Sequence, residues 1–229
     1  MRFRTKQVIA LAVLVFAART MFAADDLKSV LAELNAAAAK FHSASAKLEQ
    51  VNEMTEPVPD KDVMNGSVYT ERKGNATQLG IHLDTENGKP APRVITVKNG
   101  VFSMYEKLTN QVTTSKQAGK IEGYLSLGFG GSGNDLEANW TITYQGSETM
   151  DGVKVAKLDL VPKDPKALQF VRKVTMWIDA ERGVSRKQFF DQGQGQSRTV
   201  TYTNIKVNQS LPGDAFSFKT DSKTQVIAR

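Results

Sequence analysis

Apolar positions near the start of the chain recur with the spacing of a helix and then change to strict alternation. The helical part carries Leu27, Val30, Leu31, Leu34, Ala38 and Phe41 on one face. Two aspartates at positions 25 and 26 suit the positive end of a helix. The spacing predicts an amphipathic helix over residues 26–40, because the Ser-rich stretch HSASA disfavours an extension to Leu48.

Two prolines, Pro57 and Pro59, predict a loop over residues 54–62, after which the alternation begins. The alternating runs are GSVYTERK, QLGIHLD, PRVITVKN, VFSMYEK, NWTITYQG, KVAKLDLVP, RKVTMWIDA, VSRKQFFD and SRTVTYTNIKVN. The turn signals around them are Asn65-Gly66, Asn87-Gly88, Asn99-Gly100, Asp151-Gly152 and the DQGQGQ of residues 191–196. Since Asn-Gly and Asp-Gly supply the positive φ angles of tight hairpins, the pattern predicts a large antiparallel meander in a mainly β (α+β) chain.

The alternation also selects the side chains on one face of each strand. The apolar ones are Leu79, Ile81, Leu83, Phe102, Met104, Leu158, Leu160, Val174, Met176 and Ile178. In GSVYTERK, Val68 and Arg72 share a face by the two-residue period, and Phe129 lies in a glycine-rich apolar stretch. These thirteen residues are candidates for the inward-facing surface of an apolar cavity. The alternative is that they pack a closed core, which alternation does not distinguish from a cavity.

The first 23 residues have the pattern of a secretory signal peptide. Arg2, Arg4 and Lys6 precede the apolar run VIALAVLVFAA, and small and acidic residues follow. Eleven apolar residues are too few for a stable membrane anchor, and a buried N-terminal helix is the alternative. We predict cleavage after Ala23 and a single domain over residues 24–229.

Removal of this segment changes the charge of the protein. Four of the 30 basic residues and none of the 24 acidic residues lie in it, so the mature chain has a net charge of about +2. A nucleic-acid partner is therefore not expected. The chain has no cysteine, which excludes disulfides, thiol catalysis and Cys-ligated zinc.

The stretch LGFGGSGND fits G-x-G-x-x-G through Gly128, Gly130 and Gly133. A dinucleotide site needs a helix after these glycines and a βαβ unit around them, and the following NDLEANWTITYQG is predicted to be strand. The phosphate-binding lysine of a Walker motif is also missing, because Asn134 and Asp135 follow the last glycine. We interpret the stretch as a mobile glycine loop that could serve as a lid or hinge.

No catalytic or metal-binding constellation can be assembled from the sequence. The two histidines, His42 and His82, cannot form a His-rich metal site alone. Ser132 lacks the final glycine of a G-x-S-x-G elbow, because Asn134 stands there. We therefore predict a protein that is not an enzyme and has no catalytic residue, cofactor or metal.

Several local patterns, in order, resemble the periplasmic outer-membrane lipoprotein carriers, the LolA-like family. DLKSVLAELN with FHSASAKLEQ is similar to the family's opening helix and first strand, and NGSVYTERK to its glycine-led strand. VKNGVFSMYEKLTNQVT resembles its central hairpin, and the stretch from MWIDAERG to DAFSFK resembles its C-terminal half with a Phe-x-Phe close. The similarity runs from about Asp26 to Ile227.

The resemblance implies an incomplete antiparallel β-barrel of about ten to eleven strands, with an N-terminal helix and a lid over an apolar cavity. It also implies that the thirteen candidate residues line or cover this cavity and bind the ligand. It also implies a monomer that takes acylated lipoproteins from an inner-membrane ATP-driven transporter and passes them to an outer-membrane acceptor. Arg72 falls where the family has an inward basic residue that holds the lid closed, although Lys73 replaces the family's next proline. The insertion around GYLSLGFGGSGNDL departs from the best-known members. A binding module of the same fold for another lipid, or a lipid-sensing envelope regulator, is the alternative.

Overall fold

Strands form most of the molecule, in a computed structural model that describes residues 26–74, 76–116 and 127–228. The helices are α1, residues 26–40, and α2, Gly133–Asn139, and a 3₁₀ turn spans Ala167–Gln169. The strands are β1 Ser43–Met54, β2 Asp60–Lys73, β3 Ala76–Glu86, β4 Lys89–Lys98, β5 Val101–Glu106, β6 Gln111–Ser115, β7 Trp140–Met150, β8 Val153–Pro162, β9 Lys173–Asp179, β10 Val184–Gly193, β11 Gln196–Val207 and β12 Gln225–Ala228. The predicted signal peptide and its cleavage site lie outside the described residues.

All twelve strands belong to one sheet, in the order β12-β6-β5-β4-β3-β2-β1-β11-β10-β9-β8-β7. Neighbouring strands are antiparallel except β12, which pairs with β6 in parallel. The outer strands β12 and β7 are not paired with each other, so the sheet is open. The predicted mainly β fold, an incomplete antiparallel barrel, is confirmed, with twelve strands in the described residues instead of ten or eleven.

Hairpin turns lie where most of the glycine dipeptides predicted them. Asn87-Gly88, Asn99-Gly100 and Asp151-Gly152 all have positive φ at both positions and connect successive strands. The turn predicted at Asn65-Gly66 is wrong, because both residues lie inside β2. A Cβ atom on Gly66 would lie only 2.0 Å from the backbone oxygen of His82 on β3. This glycine is needed for close approach of two strands, not for a turn.

One face of the sheet, called here the helix-covered face, packs against α1. Val30, Leu31 and Leu34 of α1 belong to the same buried cluster as residues of β1–β4 and β8–β11. The predicted helical periodicity is thus confirmed, and its apolar stripe is the surface that meets the sheet. The chain after β11 covers part of the opposite face, where the rings of Tyr105 and Phe218 stack with centroids 5.3 Å apart.

Candidate functional site

The strand registers place the predicted apolar residues in continuous rows across the helix-covered face. In one row Val97 pairs with both Leu79 and Phe102. In the next, Ile95 pairs with both Ile81 and Met104, and the row continues from Ile81 to Val68 on β2. On the other half of the sheet, Met176 pairs with Leu158. Since directly paired residues point to the same face, each row is one apolar surface.

Burial divides the predicted set into two groups. The fully buried group consists of Val68, Leu79, Leu83, Phe129, Leu158, Leu160, Val174, Met176 and Ile178. The half-buried group consists of Arg72, Ile81, Phe102 and Met104. The first group packs with α1 in the core cluster. The second lies on β2, β3 and β5, so the partly exposed members of the predicted set are all on this half of the sheet.

Arg72 joins the sheet to two covering segments. Its side chain projects from the face that also carries Val68. Nη1 donates to Ala38 O of α1 at 2.6 Å. Nη2 donates to Gly130 O at 2.7 Å. The guanidinium also lies 5.8 Å from the centroid of the Phe41 ring. The contact expected between Arg72 and the glycine stretch is therefore present, whereas its role in ligand release stays a prediction.

The glycine segment, residues 127–133, is held firmly against the sheet. Ser185 N donates to Gly128 O at 2.7 Å, and Gly130 N donates to Gly183 O at 3.0 Å. Phe129 forms a β-bridge with Val184. Residues 127–130 are all buried, so our interpretation of a mobile loop is wrong for this part. A Cβ atom on Gly130 would lie 2.3 Å from the Phe41 ring, which explains a glycine at this position.

A short helix follows the glycine segment, which corrects the prediction that strand follows Gly133 directly. Ser132 caps α2, because its Oγ accepts a hydrogen bond from Asp135 N at 3.0 Å. Asn134 N donates to Asn35 Oδ1 of α1 at 3.1 Å. A Cβ atom on Gly133 would lie 2.4 Å from Leu31 O. The start of α2 therefore binds α1 and its own cap, and β7 follows in an antiparallel sheet instead of a βαβ unit.

A buried polar pair that sequence reasoning missed fixes the start of the glycine segment. Gln188 on β10 donates through Nε2 to Leu127 O, and its Oε1 accepts a hydrogen bond from Tyr202 OH at 2.9 Å. The Tyr202 ring meets Phe129 edge to face at 4.8 Å. Burial raises the pKa of the Tyr202 hydroxyl, so it stays a neutral donor. No sequence motif identifies these residues, because each is an isolated residue with a polar group in an alternating strand.

The end of the helix-covered face away from Arg72 is polar. Arg93 there pairs with Glu86 at 2.6 Å and, through Nε, with Glu106 at 3.5 Å. Gln50 donates to Asn52 Oδ1 at 3.1 Å on β1. The face thus changes along the strands from an apolar end covered by α1 to a charged end.

Neither histidine takes part in this site. His42 is exposed before β1, and His82 lies beside Tyr69, with ring centroids 5.2 Å apart. Among residues 26–74, 76–116 and 127–228, no group of three or more acidic or histidine side chains is placed to hold a metal ion. In the same residues, no helix has the length and apolar character needed to cross a bilayer.

Sequence comparison relates the chain to a carrier protein. It is 31% identical over 130 residues to the outer-membrane lipoprotein carrier protein of Cupriavidus necator, covering 57% of each chain. The chain is therefore similar to this carrier over part of its length. It is also 28% identical over 117 residues to an uncharacterized protein of Methanocaldococcus jannaschii, covering 51% of this chain and 32% of that protein. The chain thus spans 57% and 32% of the length of these two curated relatives, and no protein-family model matches it.

Solved structures share the fold over most of the chain. An uncharacterized conserved protein from Thermus thermophilus has a TM-score of 0.56 at 12% identity, covering 88% of this chain and 98% of that one. MucB has a TM-score of 0.53 at 14% identity, covering 89% of this chain and 66% of that one. At these identities the likeness establishes the fold alone.

Proposed function

We propose that this protein is a periplasmic carrier that shields the acyl chains of lipoproteins and moves lipoproteins from the inner to the outer membrane. The observation that carries the proposal is the pair of hydrogen bonds from Arg72 to Ala38 O and Gly130 O. They join an apolar sheet face to the two segments that cover it. A carrier needs such a detachable cover, because its apolar surface must be hidden when it is empty and open when it is loaded. The identity with the Cupriavidus necator carrier supports the same function.

The acyl chain is proposed to lie first along the half-buried side chains of β3, β4 and β5. Ile81, Ile95 and Met104 form one row there, and Phe102 begins the next. Methionine suits such a surface, because its flexible thioether adapts to different chain shapes. Deeper entry requires α1 and the glycine segment to separate from the fully buried residues.

The free energy of chain burial limits how closed the loaded site can be. Each buried CH₂ contributes about 0.8 kcal/mol, so a chain of ~16 carbons contributes roughly 12 kcal/mol. Two fully shielded chains would exceed the strongest known non-covalent affinities and would not be released. Transfer is possible if the open sheet shields the acyl chain incompletely, because binding is then weaker. A cover that tends to close further favours release.

In this mechanism the closed, empty state is favoured by the Arg72 bonds, which loading breaks. Each charge-assisted bond contributes about 1.5–3 kcal/mol. Their formation on closure therefore offsets part of the unfavourable free energy of releasing the chain. An inner-membrane ATP-driven transporter would supply the energy for loading, and an outer-membrane acceptor would receive the cargo. These partners and the periplasmic location are part of the proposal.

The second candidate is a binding module of the same fold that takes another lipid or acts as a lipid-sensing envelope regulator. The observation that favours it is the fold shared with MucB. MucB is also known from a complex with MucA, so a protein of this kind binds a protein partner. The two candidates differ in their ligand: an acylated peptide that is handed on, or a lipid or protein segment that is retained.

The test uses an environment-sensitive dye bound to the purified mature protein, with a peptide that carries an N-terminal acyl chain as competitor. The non-acylated peptide of the same sequence is the matched control. The carrier proposal predicts displacement by the acylated peptide alone. It also predicts transfer of that peptide from the loaded protein to acceptor vesicles.

Three results separate the candidates. Displacement by free lipid but not by acylated peptide supports the second candidate. Binding of the acylated peptide without any transfer to vesicles contradicts a carrier. A folded protein that binds neither the dye nor an acyl chain shows that the apolar rows are a plain packed core.

A further inference from the structure

Arg198 on β11 is an inward-facing cation at the charged end of the sheet. It pairs with Asn52 on β1 and with Phe190 on β10. Val200 and Tyr202, two and four residues later on the same face, belong to the buried core. Arg198 therefore lies on the helix-covered face, in line with the core residues of β11 and beyond the part where the Arg72 bonds hold the cover.

Within the described residues, the guanidinium of Arg198 has no hydrogen-bond or ion-pair partner. Its Nε is buried and unpaired. Its Cζ lies 4.2 Å from the centroid of the Phe190 ring, so its one specific contact is with an aromatic face. The terminal nitrogens are not among the buried unpaired atoms, so they keep access to solvent. The guanidinium of Arg198 is thus buried at Nε beside the Phe190 ring, while its terminal nitrogens remain accessible to solvent.

Arg93, on the same face, is an example of a structural cation whose charge is paired, and it contrasts with Arg198. Arg93 lies between two carboxylates, Glu86 and Glu106, and its charge is compensated within the protein. Arg198 faces Asn52, Phe190 and Tyr202, none of which is anionic, since burial raises the pKa of the tyrosine. Desolvation also lowers the pKa of Arg198 itself, as expected for a cation that is buried without an anionic partner.

Arginine is the side chain best suited to take an anion at such a place. Its planar guanidinium offers parallel donors that match a carboxylate or phosphate, and an aromatic ring below it fixes its plane. The neighbouring amide of Asn52 offers a further polar group. An anion bound here would compensate the charge and use donors that are otherwise left to water.

We propose that Arg198 binds a carboxylate or phosphate group of the ligand whose acyl chain lies along the apolar rows of the same face. This inference rests on the proposed function, because it takes the acyl chain as given, and it adds the chemical class of the ligand. The anion belongs either to a lipid headgroup or to an acidic residue of the peptide attached to the chain. Arg198 then sets the orientation of the ligand, with its chain toward α1 and its charged group toward the polar end.

The test compares acyl ligands that differ in charge alone, by displacement of the bound dye. Laurate and dodecyl phosphate are the anionic lipids, and glycerol monolaurate is the neutral one. An N-lauroylated peptide with one Asp and its Asn counterpart form the second arm, which distinguishes a lipid headgroup from an acidic cargo peptide. The parent is expected to bind the anionic member of at least one arm about tenfold more tightly, the lower end of a charge-assisted hydrogen bond.

Three variants locate the preference. Arg198→Met keeps an unbranched side chain and is expected to bind neutral and anionic ligands alike, whereas Arg198→Lys retains part of the preference. Lys154→Met removes the same charge from an exposed position and is expected to leave the preference unchanged. Arg198→Met is also expected to melt no lower than the parent, because it removes a desolvated charge that has no partner.

The outcomes separate this inference from the function on which it rests. Acyl binding with no preference for anions in the parent, or with the same preference in Arg198→Met, overturns the role of Arg198 and leaves the carrier proposal standing. Failure of the folded parent to bind any acyl ligand overturns both. A preference confined to the lauroylated Asp peptide assigns the anion to the cargo peptide, and one confined to the lipids assigns it to a headgroup.

Discussion

A hydrogen bond of 2.7 Å, from Arg72 Nη2 to Gly130 O, connects β2 to the glycine segment. With the second bond to Ala38 O, one side chain of β2 contacts both covering segments. Arg72→Leu removes both bonds but keeps an apolar side chain beside Phe41. We expect this variant to fold, to accept acylated peptide, and to release it to acceptor vesicles at least tenfold more slowly. The reason is that closure no longer forms the two bonds that offset the free energy of release.

Transfer from the loaded protein to vesicles measures this effect, with circular dichroism to check the fold. Lys73→Leu is the matched control, since Lys73 is the next residue and its side chain is 62% exposed. It is expected to release cargo at the parent rate. Equal release by Arg72→Leu and the parent would remove Arg72 from the mechanism, and loss of folding would show that its role is structural.

A second prediction concerns the half-buried row. Met104→Asp places a carboxylate among Ile81 and Ile95, where an acyl chain would have to bury it. The affinity for acylated peptide is expected to fall by a factor of ten or more, as measured by dye displacement. Val161→Asp introduces the same group at a strand position that is 38% exposed, and there affinity should be unchanged. Equal losses in both variants would argue against a ligand on this row.

A third prediction concerns the two phenylalanines at opposite extremes of burial. Phe129 is 2% exposed and packs against Tyr202, whereas Phe170 is 72% exposed. Phe129→Ala is expected to reduce the free energy of unfolding by about 3–5 kcal/mol, and Phe170→Ala by less than about 0.5 kcal/mol. Urea unfolding measures both. A small loss for Phe129→Ala would mean that the glycine segment contributes little to the core.

A fourth prediction tests the contact between α1 and α2. Gly133→Ala would place a methyl group 2.4 Å from Leu31 O, so the two helices must move apart. We expect a destabilisation of about 1–3 kcal/mol and faster amide hydrogen exchange in α1. Gly131→Ala is the control in the same segment, because a Cβ there meets nothing within 4 Å. Similar exchange rates in α1 for the two variants would contradict the close contact.

Local patterns predicted the parts of the fold that depend on local physics. Residues 26–40 were recognisable as a helix, because its apolar stripe repeats over four turns and meets one surface. The hairpin at Asn99-Gly100 was recognisable because both positions adopt positive φ. The same dipeptide at Asn65-Gly66 does not form a turn. Gly66 is required because a neighbouring strand approaches it closely, and the sequence does not distinguish this requirement from that of a turn.

Other features depend on long-range register and were not predictable in this way. Helix α2 has seven residues, too few for a periodic signal, although its capping pair Ser132 and Asp135 was a readable sign. The contacts of Gln188 and Arg198 depend on which strands lie beside β10 and β11, and the sequence alone does not reveal this pairing. The family resemblance of its strand predicts a role for Arg72, whereas only the structure shows its bond to Ala38 O.

The order of strands in the sheet also has a consequence for how the protein folds. Strands β1–β6 and β7–β11 are two runs of neighbouring hairpins, and the ladder between β1 and β11 joins them. That ladder pairs Ala44 with Val207 and Met54 with Gln196, positions far apart along the chain. Hairpins close short loops and form quickly, whereas this ladder must close a long one. We therefore expect the two halves to form first and their joining to limit the folding rate, so that mutations along β1 and β11 slow refolding more than mutations in the outer hairpins.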